Sequence, residues 1–508
     1  MFIFLKELIG LITPINILLL SASTILGILI GCLPGLTATM GIALLTGITY
    51  GMSQDAALII LMGIYVGAMF GGSISAILIG IPGTGSAAAT VLDGYPLAKK
   101  GQGGTALSLA LIGSFIGTLF GLLLLSTCAP FLQTIALKFT SAELSLLAIF
   151  GVTICGSLTA AGSPLKGWIG GFFGLLVSCI GMETMYGYAR FTYGNSQLLG
   201  GIAFVPAMIG LFGIPGVLGE LSREKTAVQA LVINEEKQEK ISVWGLLKTR
   251  LGLCLKSGAI GVGIGAIPGV GEDVAAWMSY DAAKNSSKHP EEFGKGCYDG
   301  VVAAETANNA CIGGALIPLL CLAIPGSAPT AVLLGAFRLH GIRPGPMLTY
   351  EFPNFIPYMS AMLLLAAFVM RIFGLPACKL APKLLKLPVH ILMPIVSVLS
   401  IIGSYALNIR FFDLIVMYAF GLIGYFMTKR DFPVAPIILG IILGPMIDEN
   451  FRRTLQTSGG SIAPFVTRPL SIVILVLIAY SILGQMEPAK RFGRALKQAC
   501  FKPFKKAA

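Results

Sequence analysis

Gly71-Gly-Ser73-Ile-Ser75-Ala-Ile-Leu-Ile-Gly-Ile-Pro82-Gly83-Thr84-Gly85-Ser86 is the stretch on which the reading of this chain turns. It closes an apolar segment, Ala56–Ile81, that holds no Asp, Glu, Lys or Arg. That segment exceeds the roughly 20 residues needed to cross the hydrocarbon core of a bilayer. Pro82 then removes a backbone donor and disfavours helix at the residue before it, while Gly83 permits positive φ. The expectation is a helix broken inside the membrane. A half-helix restarting after the break begins with unpaired N–H groups and a positive dipole end. Such an end takes carboxylates without an arginine. Thr84, Gly85 and Ser86 add hydroxyl donors and close backbone access, and Ser73 and Ser75 are candidates to line the same cavity.

Working outward, the rest of the chain has the same character. Of its 508 residues 55% are hydrophobic and 11% charged, against about 25% charged in a soluble domain. Leu8–Gly31, Leu36–Tyr50, Thr105–Ala136, Gly167–Met185 and further segments as far as Leu470–Leu483 repeat the apolar pattern. The expected fold is an all-α polytopic membrane protein with about 11–14 membrane segments. The N-terminal run is too long for a signal h-region and reads as a retained span. The 64 glycines suit close helix packing and broken helices that line a cavity. The net charge of +12 sits mostly in loops and tails, so it reads as orientation by positive cytoplasmic loops, not as a nucleic-acid surface. Ten cysteines without C-x-x-C spacing and three scattered histidines indicate neither a disulfide framework nor a metal site beyond a bound sodium ion. No cofactor is expected.

The glycine-proline clusters recur. Gly27-Ile-Leu-Ile-Gly31-Cys-Leu-Pro34-Gly35 matches Gly261-Val-Gly-Ile-Gly265-Ala-Ile-Pro268-Gly269 at an offset of 234 residues, and the stretch ending Pro82–Gly83 matches the one ending Pro325–Gly326 at an offset of 243. We therefore divide the chain into a first half, 1–220, with motifs at 27–50 and 67–100, and a second, 251–486, with motifs at 261–283 and 304–346. A cytoplasmic linker, 221–250, joins them, and a basic cytoplasmic tail, 487–508, follows. Lys99–Lys100 and the linker both fall in the cytoplasm if four spans separate them, which puts the N-terminus outside. The two copies then enter from opposite sides, and an inverted repeat with broken helices is the expected architecture of a secondary transporter.

The candidate substrate residues are Gly35, Thr37, Ser73, Ser75, Pro82, Gly83, Thr84, Gly85, Ser86, Pro325, Gly326 and Ser327. Polarity differs in the second copy, where Gly269 is followed by Val270, Gly271, Glu272 and Asp273. Two adjacent acids beside an apolar span are costly unless paired, cation-bound or wetted. They read equally well as coupling-ion ligands or a proton relay, or as a helix N-cap favouring the dipole. Glu305, Asn308 and Asn309 share one helix face and offer oxygens either to sodium or to a neighbouring helix. Asp93 opens Asp-Gly-Tyr-Pro, which reads as a turn.

These residues also carry a family resemblance. Gly71 through Gln102, ending Asp93-Gly-Tyr-Pro-Leu-Ala-Lys-Lys-Gly-Gln, resembles the first signature of the TctA family, the large membrane subunit of the tripartite tricarboxylate transporters. Glu291-Glu-Phe-Gly-Lys-Gly, Ala304-Glu-Thr-Ala-Asn-Asn and Gly313-Gly-Ala-Leu-Ile-Pro resemble the second. The likeness covers nearly the whole chain. It implies a bacterial inner-membrane importer of citrate-like di- or tricarboxylates, driven by a sodium or proton gradient; an elevator-like motion is expected by analogy with other inverted-repeat transporters. Its implied partners are a small TctB-like membrane subunit and a periplasmic TctC-like solute-binding protein, and a homodimer is compatible with it. Many family members carry Asn just before the first Pro-Gly motif's Ile or Val, where this chain has Gly80, so the carboxylate's identity stays open. A passive anion channel is the alternative, but it calls for polar rings along continuous spans. An intramembrane enzyme would need a nucleophile with a base, or a metal cluster, and the sequence offers neither, nor a Walker motif.

Overall fold

The computed structural model describes residues 2–33, 36–158, 163–183, 185–222, 243–384, 389–406 and 408–483. Gly35, most of the 221–250 linker and the 487–508 tail lie outside these residues. The first half comprises α1 (Phe2–Leu11), α2 (Pro14–Cys32), α3 (Ala38–Ile48), α4 (Gln54–Ile79), α5 (Ala88–Lys99), α6 (Gly103–Ala136), α7 (Ser141–Leu158), α8 (Pro164–Ser178) and α9 (Phe204–Ser222). The second comprises α10 (Val243–Gly265), α11 (Gly271–Ser286), α12 (Tyr298–Leu322), α13 (Ala328–Leu339), α14 (Leu348–Glu351), α15 (Phe355–Leu384), α16 (Val389–Ala406), α17 (Phe411–Lys429), α18 (Ala435–Thr457), α19 (Ala463–Thr467) and α20 (Pro469–Leu483). This is an all-α polytopic membrane protein. Helices α2, α4, α6, α15 and α17 are long and apolar enough to cross a membrane, and α3, α7, α9, α13, α16 and α20 hold shorter apolar stretches.

Two expected spans are interrupted. Leu8–Gly31 is not one helix: the chain breaks at Thr13, whose hydroxyl accepts from Asn16 N at 3.3 Å while Pro14 supplies the first helical φ. Proline at N1 after a threonine cap starts a helix more cheaply than it continues one. Gly167–Met185 likewise ends early, at Ser178, and turns into a two-stranded antiparallel hairpin pairing Gly181 with Arg190 and Met182 with Ala189. An ion pair from Arg190 to Asp448 (2.9 Å) pins this hairpin to α18, where Arg452 also holds Asp448 one turn along the helix (2.8 Å).

Burial sorts the helices into core and rim. In α4 94% of the apolar window is buried inside the protein, in α17 only 33%. Ile9, Leu18, Phe131, Leu176, Ile372, Phe411 and Tyr480 are 63–76% exposed on the outer face, as expected where the surrounding solvent is lipid. Glycine sets the core contacts. A Cβ added at Gly27, Gly31, Gly67 or Gly71 would fall within 2.6 Å of a backbone oxygen across the α2–α4 contact. Gly261, Gly265 and Gly314 do the same between α10 and α12. Long helices are exchanged between halves: α6 packs on α10 and α12, α15 on α2 and α4, α9 on α16 and α17, and α18 on α7 and α8.

Candidate functional site

The Pro-Gly breaks that follow α4 and α12 are held by the same close contact. A Cβ on Gly83 would lie 1.9 Å from the carbonyl oxygen of Gly31, and one on Gly326 would lie 2.0 Å from that of Gly265. The residue ending the helix before each break, Gly80 (φ +72°) and Ala323 (φ +57°), is left-handed. After the breaks, α3, α11, α13 and the short 3₁₀ turn Gly85–Ala87 leading into α5 all begin beside one cavity of about 250 Å³. Thr37 and Thr39, Thr84–Ser86, Gly269–Asp273 and Ala328–Pro329 line it; Phe212 of α9 and Pro433–Ala435 close its wall.

The lining chemistry is uneven. Thr37 caps α3, accepting from Met40 N at 3.2 Å. The Thr84 and Ser86 hydroxyls lie 3.1 Å apart. Asp273 is exposed toward the cavity and packs against Gly85, where a Cβ would sit 2.5 Å from Oδ2. Glu272 is 4% exposed. Its carboxylate accepts a hydrogen bond from the Tyr65 hydroxyl of α4, which lies 3.2 Å from Ser327 Oγ. Ser327 and Thr330 form a capping box that starts α13. This chain of groups ties α4 to α11 and α13. The N-cap of α11 is Val270, so neither acid caps that helix by side chain.

The remaining candidates stand behind the cavity. Ser75 is fully buried and bonds back to Gly72 O at 3.2 Å; Ser73, Pro82, Gly83, Pro325 and Gly326 do not line the space either. Glu305 is fully buried, with its carboxylate accepting from Thr90 (2.5 Å) and Ser114 (3.0 Å). Asn308 donates to Met69 O at 3.4 Å, and Thr118 donates to Asn309 at 3.5 Å. These bonds join α12 to α4, α5 and α6. Sequence reasoning missed Tyr65, Phe212 and Pro433–Ala435. Tyr65 had a signal, as a hydroxyl between Gly63 and Gly67 in an otherwise apolar run; the others are brought in only by tertiary packing.

Asp93-Gly-Tyr-Pro is not a turn. It lies within α5, which runs through Pro96 to Lys99. Asp93 is fully buried and accepts from Gly294, Gly296 and Cys297 N, each at 2.8 Å, and from the Tyr280 hydroxyl at 2.8 Å. Four donors satisfy a carboxylate that burial would otherwise penalise heavily. Lys100 donates to Lys295 O at 2.7 Å. The two sequence signatures therefore meet in space. The family model of the tripartite tricarboxylate transporter TctA family matches residues 17–439.

The chain belongs to the TctA family.

TctA proteins are components of tripartite tricarboxylate transporters, which implies TctB and TctC partners for this multi-pass membrane protein. The chain is also similar to an uncharacterized 52.8 kDa protein of the TAR-I ttuC' 3' region of Agrobacterium vitis, 37% identical over 489 residues and 95% of each chain. A second uncharacterized protein, of the TAR-II ttuC' 3' region of the same organism, is 35% identical over 231 residues, 46% of this chain and 96% of that one. No solved structure matches. The left-handed φ of Gly80 also accounts for the TctA position where asparagine is common. Glycine and asparagine are the two residues that enter this conformation most readily, so the exchange preserves the backbone at the break.

Proposed function

We infer that this TctA chain is the translocating subunit of an ion-driven carboxylate importer, fed by a periplasmic binding protein. The observation that carries this reading is the meeting of four helix or turn starts, two from each half, around one cavity of about 250 Å³. Helix N-termini there offer unpaired N–H groups and positive dipole ends to an anion, with the Thr37, Thr84 and Ser86 hydroxyls beside them. Glu272 and Asp273, on α11 after Gly269, stand beside these groups, with Asp273 against Gly85, and offer oxygens to a coupling cation, sodium or proton. Glu305, Asn308 and Asn309 form a second, fully buried oxygen cluster for the same role.

Paired glycine contacts at offsets of 234 and 243 residues, with long helices exchanged between halves, support two inverted copies and alternating access by an elevator-like motion. The test is reconstitution with the small subunit and binding protein in vesicles. Citrate or a related di- or tricarboxylate should accumulate against its gradient and stop when the sodium and proton gradients are collapsed. Uptake indifferent to both gradients would remove the coupling. Ser86→Leu, which fills the cavity from the first half, should abolish uptake without loss of folded protein.

A further inference from the structure

Two more cavities lie in line with the central one. A space of about 10 Å³ borders Phe212, Ser327, Ala328, Ala331, Ala435 and Ile438. A half-open cavity of about 400 Å³ borders Phe204, Pro206, Leu334, Arg338, Ile442 and Pro445. Their order along the helices is the same three times. On α13 the lining residues climb from Ala328 through Ala331 to Leu334 and Arg338. On α18 they climb from Ala435 through Ile438 to Ile442 and Pro445, and on α9 they descend from Phe212 to Phe204. Ala328 to Arg338 and Ala435 to Pro445 are each ten residues, about 15 Å of helix. The three spaces are thus stations of one seam between α9, α13 and α18. The middle station holds about one water, and Ala328, Ala331 and Ala435 form part of its wall. The Phe212 ring borders both it and the central cavity.

At the open end stands a charge. Arg338 is exposed into the 400 Å³ cavity. Among the described residues no carboxylate lies within ion-pair reach of its guanidinium, in contrast to Arg190, Arg250, Arg452, Arg453 and Arg468, which all have acidic partners. The other cavity walls are mostly apolar, and Asn408 is already engaged with Asp413 at 2.6 Å. A planar, five-donor cation left free over a cavity is suited to bidentate capture of a carboxylate.

We propose that the α9–α13–α18 seam is the passage between the central cavity and one side of the membrane, with Arg338 as a carboxylate-capturing station at its mouth and Phe212 as the side chain that closes it. This rests on the importer reading above, and the experiment separates the two. Leu339→Cys, beside Arg338 in the same cavity, is labelled with an anionic and a cationic methanethiosulfonate, counted above the parent chain. The anionic reagent should react about tenfold faster, since a unit charge a few ångströms away acts strongly outside bulk water. Arg338→Gln should erase that ratio, and Arg338→Lys should keep most of it.

In reconstituted vesicles Arg338→Gln should raise the KM for the transported carboxylate about tenfold with little change in the maximal rate. Ala331→Phe, at the waist, should stop uptake while labelling at residue 339 and folded yield stay normal. An unchanged thiol ratio and KM in Arg338→Gln would overturn the station, and uptake by Ala331→Phe would overturn the passage. Phospholipid that co-purifies with the parent and is lost from Arg338→Gln, with KM unchanged, would assign the cavity to a lipid headgroup instead. No carboxylate uptake by the unmodified complex would sink the importer reading and leave the thiol result standing alone.

Discussion

After α4 the chain reads Gly80-Ile-Pro82-Gly83-Thr84, and after α12 it reads Ala323-Ile-Pro325-Gly326-Ser327. The two turns share a left-handed residue two positions before the proline and a glycine pressed onto the carbonyl of a neighbouring helix end, Gly31 or Gly265. They part company at the next residue. Ser327 closes a capping box with Thr330 and meets Tyr65. Thr84 makes no capping bond and faces Ser86 at the cavity. The partner helices differ more: α3 opens Ala38–Thr39, whereas α11, at the matching place, opens Glu272–Asp273. Backbone contacts are common to both halves, and charge is confined to one. A site built this way has two like walls and one acidic side, so an anion and a cation can be held next to each other without sharing ligands.

The comparison breaks most severely if its shared part is removed. Gly83→Ala and Gly326→Ala each place a methyl about 2 Å from a backbone oxygen. No rotamer change relieves this contact, so each should cost more than about 3 kcal/mol, the upper end of ordinary overpacking. Both variants should lose folded, monodisperse protein on size-exclusion chromatography after extraction. A well-folded Gly326→Ala beside a lost Gly83→Ala would show that the two turns are not equivalent. The unshared part calls for gentler changes. Thr39→Asp gives the first half an acid where the second carries Asp273. At roughly 7 Å from a bound carboxylate and an effective dielectric near 20, the repulsion is about 2 kcal/mol, about a thirtyfold rise in the KM for uptake. Asp273→Asn should leave that KM within a few-fold and instead flatten the dependence of uptake on the driving ion. If the two effects were exchanged, the assignment of sides would be reversed.

Much of this was legible in the sequence because its signals are local. Apolar runs without charge report membrane segments, and Pro-Gly pairs at matching offsets report where they break. Glu272 and Asp273 stood out because acids at such positions are rare. The failures are equally physical. Thr13–Pro14 carries a local helix-start signal, a threonine cap before an N1 proline, which reading Leu8–Gly31 as one apolar run passes over. Asp93-Gly-Tyr-Pro carries turn chemistry, yet tertiary donors from Gly294, Gly296 and Cys297 hold Asp93 inside a helix. Ser73 and Ser75 sit close in sequence to the cavity but point into a packed helix contact. Phe212 and Pro433–Ala435 reach the site only because α9 and α18 fold back from distant parts of the chain. Periodicity does not record that.

The smallest expected effect concerns the one position where the two turns differ without any change of chemistry. Ala323 holds φ at +57° and Gly80 at +72°. A left-handed residue with a Cβ costs about 1–2 kcal/mol relative to glycine, so α12 ends on a strained residue and α4 does not. Ala323→Gly should recover close to 1 kcal/mol, less the entropy glycine adds to the unfolded chain, and raise the thermal midpoint in detergent by a degree or two. Gly80→Ala should lose that amount and somewhat more, because its Cβ also meets the Tyr95 ring at 3.0 Å. Gly80→Asn meets the same ring but tolerates the left-handed region better, so its midpoint should fall between those of glycine and alanine. Asn as damaging as Ala would mean that the ring contact, not the dihedral angle, governs this position. The occurrence of asparagine here in other TctA chains would then need a side-chain contact to explain it.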